Sequence, residues 1–90
     1  MKFRYQLPAE LIEKTSRLED FANGGTQVTL RLLDGGEVGG VLISNSMYIA
    51  AVRGFKDLPF TIDQIADIYQ TADDKNPSLR SGWEYFDNWK

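Results

Sequence analysis

The spacing of apolar residues changes along this chain, and each change predicts an element. From Pro8 to Ala22, the residues Leu11, Ile12, Thr15, Leu18, Phe21 and Ala22 recur at helical spacing, with Glu10, Glu13, Lys14, Arg17 and Glu19 on the other side. Pro8 suits a first turn, Glu10 favours the positive end of the helix dipole, and Asn23-Gly24-Gly25 supplies a helix stop. An amphipathic helix over 8–22 is therefore predicted. Thr26 to Asp34 then alternates with period two and meets Asp34-Gly35-Gly36, a strand ending in a turn. Residues 37–45 form its hairpin partner, with Gly39-Gly40 in mid-strand where a bend or bulge is needed. A third strand fits 47–54 and a short fourth 57–60.

The segment from Leu58 to Gln70 admits two readings. Thr61 with Gln64 makes a capping box, Phe60 and Ile65 fit a hydrophobic staple, and Ile62, Ile65, Ile68 and Tyr69 share a helical face. One reading is a continuous helix. The other, favoured by the strands around it, is a single turn at 61–64 followed by a closing strand at 65–71. The expected fold is thus mainly β with α: an N-terminal helix, then a strongly bent five-stranded small barrel within residues 1–72.

The strands also resemble a known pattern. Val28-Thr29-Leu30-Arg31-Leu32-Leu33-Asp34-Gly35, followed after four residues by Gly40-Val41-Leu42, is similar to the first Sm motif, and that family places a helix before it. Leu58-Pro59-Phe60 through Ile65-Ala66-Asp67-Ile68 resembles the end of many SH3-like barrels, where one turn leads into the closing strand. The resemblance covers about residues 8–71 and implies a small Sm/SH3-like barrel. It also implies where RNA would be held: near Ser46 and Ala50, with Tyr48 stacking a base. The Asp and Asn that the family uses at those two positions are absent here, and Val52-Arg53-Gly54 stands too early to match the family's second motif.

Composition narrows the chemistry. The 90 residues contain no cysteine and no histidine, which excludes disulfides, thiolate nucleophiles, Cys/His zinc sites and imidazole acid–base pairs. The glycine pairs lack the lysine and strand-to-helix context of a phosphate loop. Glu10/Glu13, Glu19/Asp20, Asp63/Asp67 and Asp73/Asp74 read as solvated carboxylates, the last pair opening a polar linker. No enzyme activity and no cofactor are expected. Thirteen acidic against ten basic residues, a net charge of -3, weigh against phosphate tracking, so only Arg31, Arg53 and Tyr48 are left as a nucleic-acid alternative. No apolar run is long enough to span a membrane and the start lacks a signal-peptide core, so a cytoplasmic location is expected.

The end of the chain, 73–90, changes character: a polar connector leads to Trp83, Tyr85, Phe86 and Trp89. Ser81 with Glu84 makes a capping box, so a short aromatic helix or tail is expected from Gly82. Burying each such aromatic is worth about 1.5–3 kcal/mol, so these side chains must cover either the chain's own sheet or a partner. The expected function is a non-catalytic protein-interaction or regulatory module, binding a protein partner, a basic one by charge, or a second copy through Trp83, Tyr85, Phe86 and Trp89. The alternative is an Sm-like RNA binder assembled as a homo-oligomeric ring.

Overall fold

Thr15 and Ser16 decide where the first helix stops. The computed structural model describes residues 4–20, 25–79 and 82–86, and in it helix α1 runs only over Ala9–Ser16. The Thr15 hydroxyl donates to the Leu11 carbonyl and that of Ser16 to the Glu13 carbonyl, each at 2.6 Å. The next amides bond three residues back, Arg17 to Lys14 and Leu18 to Thr15. Hydroxyls competing for carbonyls and tightened last bonds end a helix. The expected 8–22 helix is therefore shortened, and Phe21 to Gly24 lie outside the described residues. Leu11 and Thr15 are buried, and Ile12 and Leu18 pack beside the core, so the apolar stripe is used as its spacing predicts.

Four antiparallel strands follow: β1 (Gly25–Leu32), β2 (Glu37–Ser44), β3 (Tyr48–Val52) and β4 (Ile65–Tyr69), in the order β3-β2-β1-β4. The Asp34-Gly35 turn joins β1 to β2; Gly35 has φ +91° and the Asp34 carboxylate accepts the Gly36 amide at 2.8 Å. Asn45 and Ser46, both at positive φ, turn β2 into β3. Helix α2 (Ala72–Lys75) comes after β4.

Three bulges bend this sheet, and each serves the same purpose. Between Val28↔Val41 and Leu30↔Val38, β2 carries one extra residue at Gly39-Gly40. Between Ile43↔Ile49 and Leu42↔Ala51, β3 carries Ala50 extra, and between Arg31↔Asp67 and Leu32↔Ile65, β4 carries Ala66. A regular strand sends residues i and i+3 to opposite faces; one extra residue returns both to the same face. Val38 with Val41, Ile49 with Val52, and Ile65 with Ile68 all belong to the one core, together with Val28, Leu30 and the helix residue Leu11.

Two expectations are corrected here. Residues 57–60 form no strand, and no barrel closes among the described residues: β3 and β4 are the two edges of an open sheet. Pro59 has no amide to give a ladder, and the Asp57 carboxylate is taken by the Leu58 amide and the Tyr5 hydroxyl, so the segment is a bent loop that delivers only Phe60 to the core. The predicted strand 47–54 is also shorter, because Gly54 at φ +85° turns the chain and the Phe55 amide bonds the Val52 carbonyl. The edge of β3 is covered instead by the chain's two ends. Leu7 donates to the Met47 carbonyl, Ile49 to that of Tyr5, and Phe86 to that of Ala50.

The ambiguous segment resolves as one 3-10 turn at Ile62–Gln64 followed by β4. The Gln64 side chain accepts the Thr61 amide at 2.9 Å, as its capping spacing predicts, but Ile65 leaves at φ -78°, ψ 117°. The edge of β1 pairs with four of the five residues of β4, which outweighs the local helical signal. No helix of the described residues is long and apolar enough to cross a membrane.

Gly40 has φ +64°, and a Cβ there would stand 2.8 Å from Arg53 Cγ and 3.0 Å from Arg53 Cβ, whereas at Gly35 it would meet nothing within 4 Å. Gly35→Ala is expected to cost about 1 kcal/mol, the conformational term alone, and Gly40→Ala about 2 kcal/mol or more. Urea unfolding of the two variants checks this; equal costs would show that the bulge tolerates a side chain.

Candidate functional site

The outer face of the sheet, opposite the core, is where the expected binding residues gather. Along β1, Gln27 and Thr29 point away from Val28 and Leu30, yet both are buried. They are covered by α2. The Asp74 carboxylate, only 2% exposed, accepts from Gln27 Nε2 at 2.8 Å, from Thr29 Oγ1 at 2.9 Å and from the Thr71 amide at 2.9 Å, while Thr71 Oγ1 accepts the Asp74 amide at 3.1 Å. A buried carboxylate without a cation is tolerated when its lone pairs are this fully used. The expectation that Asp73-Asp74 opens a solvated linker is thus overturned for Asp74. The signal was present as Thr71-x-x-Asp74, a capping-box spacing, together with two polar outer-face positions on β1 that needed a cover.

Asp73 is exposed and holds the next turn. Its carboxylate accepts the Ser78 amide and hydroxyl, and these bonds lower its pKa, the amide contributing most. The chain then crosses to β2 and β3. There Trp83 packs on Leu42, Ala50 and Ala51. The β3 bulge turns both alanines outward, and their small side chains leave a shelf for the indole. The Arg53 guanidinium lies 3.7 Å from the Trp83 ring centroid and donates to the Leu79 carbonyl at 3.2 Å. Residues 82–86 form no helix; Trp83 covers the outer face while Phe86 turns to the core, edge-on to Tyr5 at 5.6 Å. Tyr85 stays half exposed, and Trp89 lies outside the described residues. Two of the four aromatic residues proposed to bind a partner, Trp83 and Phe86, are therefore docked on the chain itself.

The nucleic-acid candidates do not converge. Arg31 faces Glu37 at 3.5 Å, at the start of β2, and stands 5.7 Å from the Tyr69 ring, whose hydroxyl donates to the same Glu37 carboxylate. That bond is the main cause of a raised Tyr69 pKa. Tyr48 pairs with Ser44 at the other end of β2, so Arg31 and Tyr48 are separated by nearly the whole strand, about 20 Å at the rise of extended chain. Arg53 is occupied by Trp83. Ala50, the position the Sm resemblance assigns to an RNA-holding Asn, is 1% exposed beneath the indole. Among the described residues no group of three or more Asp or Glu is placed to hold a metal ion.

Large apolar side chains are exposed on the segments that flank β3. Phe55 is 46%, Leu79 58% and Tyr85 49% exposed, and all three come from segments gathered at the end of β3: Phe55 bridges Val52, Leu79 is bonded to Arg53, and Tyr85 precedes the residue that pairs with Ala50. Leu33, on the β1–β2 turn, is the remaining large exposed apolar side chain among the described residues. No protein-family model, curated protein or solved structure matches the chain.

The strap, described at 71–79 and 82–86, is expected to be part of the folding unit. Asp74→Ala should cost about 2–4 kcal/mol, since it leaves the Gln27, Thr29 and Thr71 donors unpaired, and Trp83→Ala about 3 kcal/mol, with neither changing oligomeric state. Thermal unfolding and sedimentation check both; unchanged stability in the two variants would show the strap to be an appendage.

Acid should weaken the tie between α1 and β4. Asp67, bonded by Lys14 at 2.6 Å and by the Ile68 amide, has a lowered pKa, chiefly from the Lys14 bond, and Asp57 is lowered chiefly by the Tyr5 hydroxyl. A carboxylate with a depressed folded-state pKa adds stability above its unfolded value, and that contribution is lost as pH falls through the folded value. Stability is therefore expected to be flat near neutrality and to decline below about pH 4. Asp67→Asn should shallow that decline, as read from unfolding midpoints between pH 2 and 7; an unaltered slope would show that the α1–β4 tie contributes nothing.

Proposed function

We propose that this protein is a non-catalytic interaction module that binds another protein through the apolar rim at the end of β3. The observation that carries this reading is the exposure of Phe55, Leu79 and Tyr85 on segments bonded to residues 50–53, Phe55 to Val52, Leu79 to Arg53 and the residue after Tyr85 to Ala50. Large apolar and aromatic side chains on a rigid support are the usual anchors of protein interfaces. The polar groups nearest the sheet are spent on structure: Asp74 on its three donors, Arg31 on Glu37, Arg53 on Trp83. We further propose kinship in fold with the Sm- and SH3-like small barrels, supported by the helix that precedes the sheet, the strand bent at Gly39-Gly40, and the single turn before β4. The module is read as an opened relative of that class, not as a ring-forming RNA binder.

The test replaces Phe55 with a photo-crosslinking phenylalanine analogue, identifies the protein it captures, and measures binding between the two purified proteins. Changing Phe55, Leu79 and Tyr85 together to serine should leave the unfolding midpoint nearly unchanged and weaken binding by about tenfold or more. Undiminished binding by the triple variant overturns the reading. So does tight binding of oligouridine at about 150 mM salt that is lost in Tyr48→Ala, which would favour the RNA alternative.

A further inference from the structure

A second surface lies where the start of α1 meets the 3-10 turn before β4. Pro8, Ile62 and Ile65 form the apolar wall of an open groove of about 630 Å³, and Glu10 and Asp63 stand on it. Both carboxylates are exposed, and neither has a cation among the described residues. Five of the described basic side chains, Arg4, Lys14, Arg17, Arg31 and Lys75, each lie within 4.0 Å of another carboxylate. Asp63 accepts the Thr61 hydroxyl, a neutral donor that leaves its charge uncompensated. Two exposed carboxylates with no cation beside them thus stand on this apolar groove.

We propose that this groove receives a lysine- or arginine-bearing segment of a partner protein. The inference rests on the reading of the protein as an interaction module but uses a different surface. The chemistry selects the occupant by exclusion. A phosphate or carboxylate group would meet two like charges. A wholly apolar segment would strip water from Glu10 and Asp63 without replacing its hydrogen bonds. A basic side chain satisfies both parts: its methylene stem lies on Pro8, Ile62 and Ile65 while its head group reaches the carboxylates. The groove is open along its length, so neighbouring residues of the same segment also find room. Rim charges of this kind steer encounter and make binding sensitive to salt.

The test titrates the full chain with a capped hexapeptide, Leu-Lys-Leu-Arg-Leu-Lys, and with a control in which glutamine replaces each basic residue. Binding is followed by isothermal calorimetry and by the methyl NMR signals of the isoleucines. The basic peptide is expected to shift Ile62 and Ile65 and to weaken as salt rises. Glu10→Gln and Asp63→Asn, which keep size and hydrogen bonding, should each weaken it by about threefold and together by about tenfold. The proposal is overturned if the glutamine peptide binds equally, if the double variant binds as the original does, if no binding is found, or if the shifts map to the β3 rim. It is overturned also if spermidine binds as tightly with the same shifts, which would assign the groove to a free polyamine. Serine at Phe55, Leu79 and Tyr85 should leave the peptide titration unchanged, so a failure of the rim reading and a failure of the groove are told apart.

Discussion

Every strand after β1 contains a bulge, and the rest of the molecule depends on the bending these impose. A small sheet has too few residues to bury a core on one flat face. By adding one residue at Gly39-Gly40, at Ala50 and at Ala66, the chain places Val38 with Val41, Ile49 with Val52, and Ile65 with Ile68 on the same concave side. Bulges raise the local twist, so the sheet wraps round α1, Leu7 and Phe60 without a fifth strand to close it. Gly40 is the residue through which this is achieved in β2, since its positive φ and the Arg53 side chain beside it leave no place for a Cβ.

The same bulges create the outer face. Two residues of β3 oppose one of β2, and Ala50 and Ala51 both turn outward, giving Trp83 its seat and Phe86 a carbonyl to pair with. At the other side of that face, α2 lowers Asp74 onto Gln27 and Thr29. The strap is therefore fastened at one end by hydrogen bonds that demand direction and at the other by apolar area that does not. The polar fastening sets register; the indole contributes apolar burial. With the N-terminal segment at Tyr5–Leu7, the strap also covers the edge of β3, the kind of bare ladder on which chains aggregate.

This economy leaves its mark on function. The buried carboxylate and the cations Arg31 and Arg53 each complete a structural contact, so the polar chemistry of the protein is largely inward-looking. What faces outward is an apolar rim carried on a rigid strand end and an apolar groove bearing unpaired carboxylates. Both are features of recognition, with affinity coming from anchors in the first and selectivity from charge in the second.

Much of the fold was legible in the chain itself because the relevant physics is local. Alternation marked β1 and β2, Asp34-Gly35 marked their turn, Gly39-Gly40 marked a bend, and Thr61 with Gln64 marked one turn of helix. The limits of that reading are equally physical. A bulge makes two core residues of a strand stand three apart, as in a helix, so Ile65 and Ile68 carry a helical period that only the edge of β1 converts into a strand. The expected strand at 57–60 and the closure of a barrel failed because edge pairing is a competition between distant segments, and the ends of the chain won it. Asp74 looked solvated because an isolated carboxylate prefers water; it is buried because Gln27 and Thr29, far away in sequence, await it on the outer face of β1. The aromatic residues of the tail announced that something had to be covered. Only tertiary structure decided that the surface covered by Trp83 and Phe86 was the protein's own, since the shelf that receives the indole exists only after β3 has bulged.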